Sequence, residues 1–140
     1  MENMLLLTQT ASTLALVGLI WFVQVVHYPL FANVGRSEFA DYERLHRHRT
    51  GFVAAPLMLL EAGTAIAMLW FRPAGVTTTM ALLGFALVVF IWVSTFGWQV
   101  PAHNKLSGDF DTSTHRWLVR SNWLRTGLWT ASGFLVCVIL

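Results

Sequence analysis

Charge is what this sequence has least of. Nine Lys and Arg and seven Asp and Glu make up 11% of 140 residues, whereas a soluble domain keeps about a quarter of its residues charged. That shortage excludes a water-solvated fold and points to lipid as the solvent. Cysteine is equally scarce: the single Cys137 forbids an intramolecular disulfide and gives no cysteine metal-site spacing. The amino terminus lacks both a basic n-region and a small-residue cleavage site, so the first apolar stretch is expected to stay in the mature chain rather than act as a signal peptide. The net charge of +2 carries no nucleic-acid signature, and no nucleic acid is expected as a partner.

What the sequence does have is apolar length. Met4–Val26, Phe52–Phe71, Val76–Val100 and Trp123–Leu140 each approach or exceed the roughly 20 residues of helix that cross a bilayer. They predict one all-α transmembrane domain over residues 1–140, an integral membrane four-helix bundle. Lys and Arg are retained on the cytoplasmic side. The first loop carries Arg36, Arg44, Arg47 and Arg49, and the third loop with the start of the fourth helix carries Lys105, Arg116, Arg120 and Arg125. Only Arg72 lies opposite, so both termini are expected outside the cytoplasm and all five histidines on its side. A bacterial plasma (inner) membrane is the expected location, with lipid as the surrounding partner and a homo-oligomer left open.

Sliding the chain against itself by 76 residues aligns 1–64 with 77–140 and gives thirteen identities, where about five arise by chance. The polar matches are His27 with His103, Ser37 with Ser113, Arg44 with Arg120, and Arg49-Thr50-Gly51 with Arg125-Thr126-Gly127. Two parallel helix-pair repeats would relate the halves by an axis along the membrane normal and bring His27 and His103 face to face. Glu61 pairs with Cys137 and His46 with Asn122, so any site is asymmetric.

Several residues are candidates for chemistry. His27 and His103 each follow a glutamine near a helix end, beside Pro29 and Pro101. Glu43 and His46 form a Glu-x-x-His pair, which on a helix puts both side chains on one face and recurs in carboxylate-bridged di-iron bundles. Glu61 lies twelve residues past Arg49, about 18 Å along a helix. A carboxylate at that depth is costly unless protonated, paired or ligated. Nitrogen and oxygen ligands of this kind suit iron, copper or zinc, with iron or copper expected ahead of zinc. The expected metal ligands are therefore His27, Glu43, His46, Glu61 and His103. Asn122, Arg125, Thr126 and Trp129 share a face of the fourth helix, where Arg125 and Asn122 are candidate catalytic groups that polarise a substrate oxygen. His48 and His115 read as solvated loop residues.

His27-Tyr28-Pro29 closing the first helix, Val100-Pro101-x-His103-Asn104-x-Leu106 closing the third and Asn122-Trp123-x-Arg125-Thr126 opening the fourth resemble the anthrone-oxygenase-like family of small four-helix membrane proteins. The resemblance implies oxidation of a hydrophobic small-molecule substrate by dioxygen. Glu43-x-x-His46 and Glu61 are not part of it, so the metal expectation rests on the residues themselves. Three functions compete: a metal-dependent membrane oxidoreductase, a haem-binding electron-transfer bundle with His27 and His103 as axial ligands, and a small proton-coupled transporter or partner-binding bundle that switches on Glu61.

Overall fold

The computed structural model describes residues 2–140 as four long helices, with no strand among the described residues. Helix α1 runs Glu2–Phe22 and is prolonged by a π turn (Val23–His27), a further α turn (Tyr28–Leu30) and a 3-10 turn (Phe31–Asn33). Helix α2 is Arg36–Ala67. Helix α3 is Thr78–Ser94, continued through a second π turn (Thr95–Gln99) into Val100–Leu106. Helix α4 is Thr112–Ile139. The four form a bundle in which α1 packs on α2 and α4, and α3 on α4, while α2 and α3 meet less closely. Where α1 meets α4, Gly133 permits close approach: a Cβ there would stand 3.1 Å from Val17 Cγ2.

The outer surface of the bundle is largely apolar, and its interior mixes apolar clusters around Phe31, Ile91 and Ala81 with an unusual number of polar side chains. Phe52, Leu59, Phe90, Val93, Phe134 and Val138 are exposed, whereas Gln9, Thr13, Gln24, Glu43, Glu61, Asn122 and Arg125 are buried. Three segments, Met4–Asn33, Arg36–Ala67 and Thr78–Leu106, are long and apolar enough to cross a membrane. The expected fourth span lies within α4, which is 28 residues long. It is not among those three, because even its most apolar part carries Asn122, Trp123, Arg125 and Thr126.

Two boundaries differ from the sequence expectation. The first loop and the second apolar stretch are one continuous helix of 32 residues, because nothing between Arg36 and Pro56 interrupts the backbone ladder. Asp111 caps α4 twelve residues before the apolar stretch begins, its carboxylate accepting from Thr114 N–H at 2.9 Å. The π turns have a local cause. Proline lacks an N–H and crowds the preceding turn, and each π turn ends just before an X-Pro pair: Tyr28 N–H donates to Val23 O, and Val100 N–H to Thr95 O. These turns and their prolines lie 72 residues apart, whereas the starts of α2 and α4 lie 76 apart. His27 therefore closes its π turn, while His103 follows the other by four residues, about one helical turn.

Candidate metal centre

Glu43 and His46 project from one face of α2, as the i, i+3 spacing requires, and the extension of α3 beyond its π turn brings His103 to meet them. A ligand atom from each lies within 4.8 Å of the other two, and all three residues are buried. His103 Nδ1 is 2.5 Å from Glu43 Oε1 and its Nε2 is 2.8 Å from the Tyr28 hydroxyl. His46 Nδ1 is 2.8 Å from His27 Nε2 and 3.1 Å from Thr50 Oγ1. Phe31, fully buried, sets its ring against those of Phe39, Tyr42, His46 and His103 and fixes the layer.

These residues fit a metal ion. Glu43 Oε2 is buried without a hydrogen-bond partner, an orphaned anionic oxygen of the sort a cation satisfies. When His46 Nδ1–H donates to His27 Nε2, the Nε2 lone pair of His46 is left free. Orientation of a ligating imidazole through its other nitrogen is the usual arrangement. Two nitrogens and one carboxylate suit iron, copper or zinc rather than magnesium or calcium.

His46 and His103 also stand in the wall of a cavity of about 640 Å³ between α2 and α3, together with Tyr28 and Arg125. Its sides are largely apolar, from Ala54, Ala55, Met58, Leu59, Trp92 and Phe96, and Arg44, Arg47 and His48 line its polar part. The size suits one small-molecule ligand.

The other expected site residues are placed differently. His27 does not join the trio but buttresses His46. Glu61 lies fifteen residues beyond His46 on the same helix, about 22 Å along its axis, too far to ligate the same ion. Its Oε1 accepts from Thr13 Oγ1 at 2.9 Å and its Oε2 from Trp129 Nε1 at 3.0 Å. Asn122 is fully buried off the cavity wall. It donates to Gln24 Oε1 at 2.8 Å and accepts from Arg125 Nη1 at 3.1 Å, so it positions Arg125 and does not itself face a substrate. His48 is exposed as expected. His115 is a correction: it is buried, with Nε2 at 2.8 Å from the Tyr28 carbonyl. The Asp111-Thr-Ser-Thr114 cap, which starts a helix just ahead of it, was the available signal. Tyr28 and Phe31 were missed as site residues, because contacts across helices leave no periodicity in a sequence.

No family model, curated protein or solved structure matches this chain. The class that fold and site define is a helical bundle with membrane-spanning character, carrying a His/Glu cluster able to hold a metal beside an apolar cavity.

Proposed function

We propose that this protein is a metal-dependent membrane oxidoreductase, oxygenase-like, that acts on a hydrophobic substrate entering between α2 and α3. The observation that carries the reading is the convergence of Glu43, His46 and His103, with the orphaned Glu43 oxygen, at the edge of the apolar cavity. Glu43, His46 and His103 would hold iron or copper, which supplies one-electron chemistry toward dioxygen or substrate. The chain's own groups do the rest. His27 orients His46, Tyr28 holds a proton at His103 Nε2, Arg125 polarises a substrate oxygen and the apolar wall excludes water. The excess of Lys and Arg around the site supports a cytoplasmic position for it and outside termini. The 76-residue identities support a duplicated helix pair. A haem is less well supported, because His27 Nε2 is set against His46 rather than opposed to His103. The transporter reading has little support either, since Glu61 is fully buried with both oxygens bonded.

Elemental analysis of the purified protein tests the reading. Wild type should carry about one iron or copper per chain, the Glu43→Ala, His46→Ala double variant almost none, and His48→Ala the wild-type amount. Equal metal in wild type and double variant overturns the metal site.

One observation favours a second reading. Both nitrogens of His103 are engaged, forming an unbroken chain from Glu43 through His103 to the Tyr28 hydroxyl. That is the orienter–base–hydroxyl arrangement of acid–base enzymes, and it could move a proton to or from a bound substrate with no metal. Metal-free protein that still turns over substrate, and loses this with Tyr28→Phe, would select it.

A further inference from the structure

Arg125 is a buried cation without a counter-ion. The residue is 8% exposed, and no carboxylate among the described residues lies within 4.0 Å of its guanidinium. One face of the guanidinium lies over the Trp129 ring, 5.0 Å from its centroid, and Nη1 donates to Asn122. Nε is buried without a partner and sealed from a water-sized group, whereas Nη2 makes no hydrogen bond among the described residues and is not sealed in this way. The Tyr28 hydroxyl stands close enough to hydrogen-bond with the group while also meeting His103 Nε2 at 2.8 Å, and as a neutral partner it leaves the charge uncompensated. Nη2 is therefore the atom that a carboxylate in the cavity can meet with a charge-assisted hydrogen bond. An unpaired charge in such surroundings is strongly unfavourable, so the open Nη2 points to an anionic ligand.

The cavity that Arg125 lines favours the same occupant. The remaining wall is mainly hydrocarbon, and it is also lined by Arg47 and by Arg44, which is paired with Asp41; cations there draw in negative ligands. About 640 Å³ suits one small ligand and a single chain, not a two-tailed phospholipid.

We propose that the cavity binds a long-chain carboxylate, its ionised head on Nη2 of Arg125 and its single hydrocarbon chain between α2 and α3. This names the substrate class for the oxidoreductase reading and rests on that reading only for the chemistry after binding.

Binding of radiolabelled dodecanoate to the purified chain in zwitterionic nanodiscs, corrected for empty discs, is the test. Saturable binding of about one dodecanoate per chain is expected, at least tenfold tighter than dodecanol. Arg125→Met should bring dodecanoate down to the affinity of dodecanol, with Arg125→Lys between. Equal wild-type affinity for the acid and the alcohol overturns the proposal, even if Arg125→Met does not fold. Displacement by millimolar acetate or inorganic phosphate, which would mark a site for free anions, overturns it too. So does displacement by phosphatidylglycerol added to the disc, which would mark a lipid-headgroup site. Metal content measured on the same samples keeps the two ideas apart. Carboxylate binding without metal removes the metal-dependent reading alone, and metal without a preference for the acid removes this proposal alone.

Discussion

Two buried glutamates on one helix show how differently the same side chain can be housed. Glu61 sits in a closed network: each oxygen has a donor, Thr13 on one side and Trp129 on the other, and Gln9 extends the chain by donating to Thr13 at 3.1 Å. Nothing in it is left wanting a ligand. Glu43, also fully buried, shares one oxygen with His103 and leaves the other unpartnered beside two histidines. Burial alone therefore does not mark a functional acid. The unfilled valence does, because a buried polar atom without a partner is costly and persists where something else can satisfy it.

Metal content separates the two most sharply. Glu43→Gln should lose most bound iron or copper, at least tenfold by elemental analysis, whereas Glu61→Gln should keep it. A loss of the same size in Glu61→Gln would end the distinction between closed and open sites.

Stability should run the other way. Trp129→Phe strips Glu61 Oε2 of its donor and should cost about 1–3 kcal/mol, and Thr13→Val a similar or smaller amount, both read as lowered denaturation midpoints in detergent. Thr50→Val, at the open centre, should cost less, since His46 Nδ1 keeps His27 as a partner. A Thr50→Val loss equal to that of Trp129→Phe would show the open centre to be as structurally committed as the closed one. Phe31 supports the open centre from below by packing, and there Phe31→Ala should cost about 3–5 kcal/mol.

The smallest effect belongs to neither glutamate but to an acid exposed in the loop before α4. The Ser113 hydroxyl, then the Thr114 hydroxyl and N–H, and then Lys105 hold the Asp111 carboxyl well below its usual range. A depressed folded-state value contributes stability above the unfolded value of 3.8, which is lost as pH falls through the folded one. Asp111→Ala should thus lower the midpoint slightly at pH 7, and the difference should shrink below about pH 4. A difference independent of pH would leave the cap without an ionic component.

Much of the fold was legible from composition and length. Scarce charge and four apolar stretches define a helical membrane bundle, because in lipid the backbone must satisfy its own hydrogen bonds. Glu43-x-x-His46 was legible as a pair for an equally local reason: side chains three residues apart on a helix share a face. The prolines marked where α1 and α3 change pitch. Glu61 was expected among the ligands, although its place fifteen residues past His46 on one helix sets it about 22 Å away.

Partnership across helices was decided only by tertiary structure. Identical Glu side chains became one closed and one open site because Thr13 of α1 and Trp129 of α4 happen to face the first, while His103 of α3 reaches only one oxygen of the second. The 76-residue match pairs His27 with His103, yet His27 met His46, since the π turns shift the ends of α1 and α3 by four residues. Periodicity specifies which way a side chain points from its own helix; what it meets depends on how four helices pack, which is a property of the whole chain.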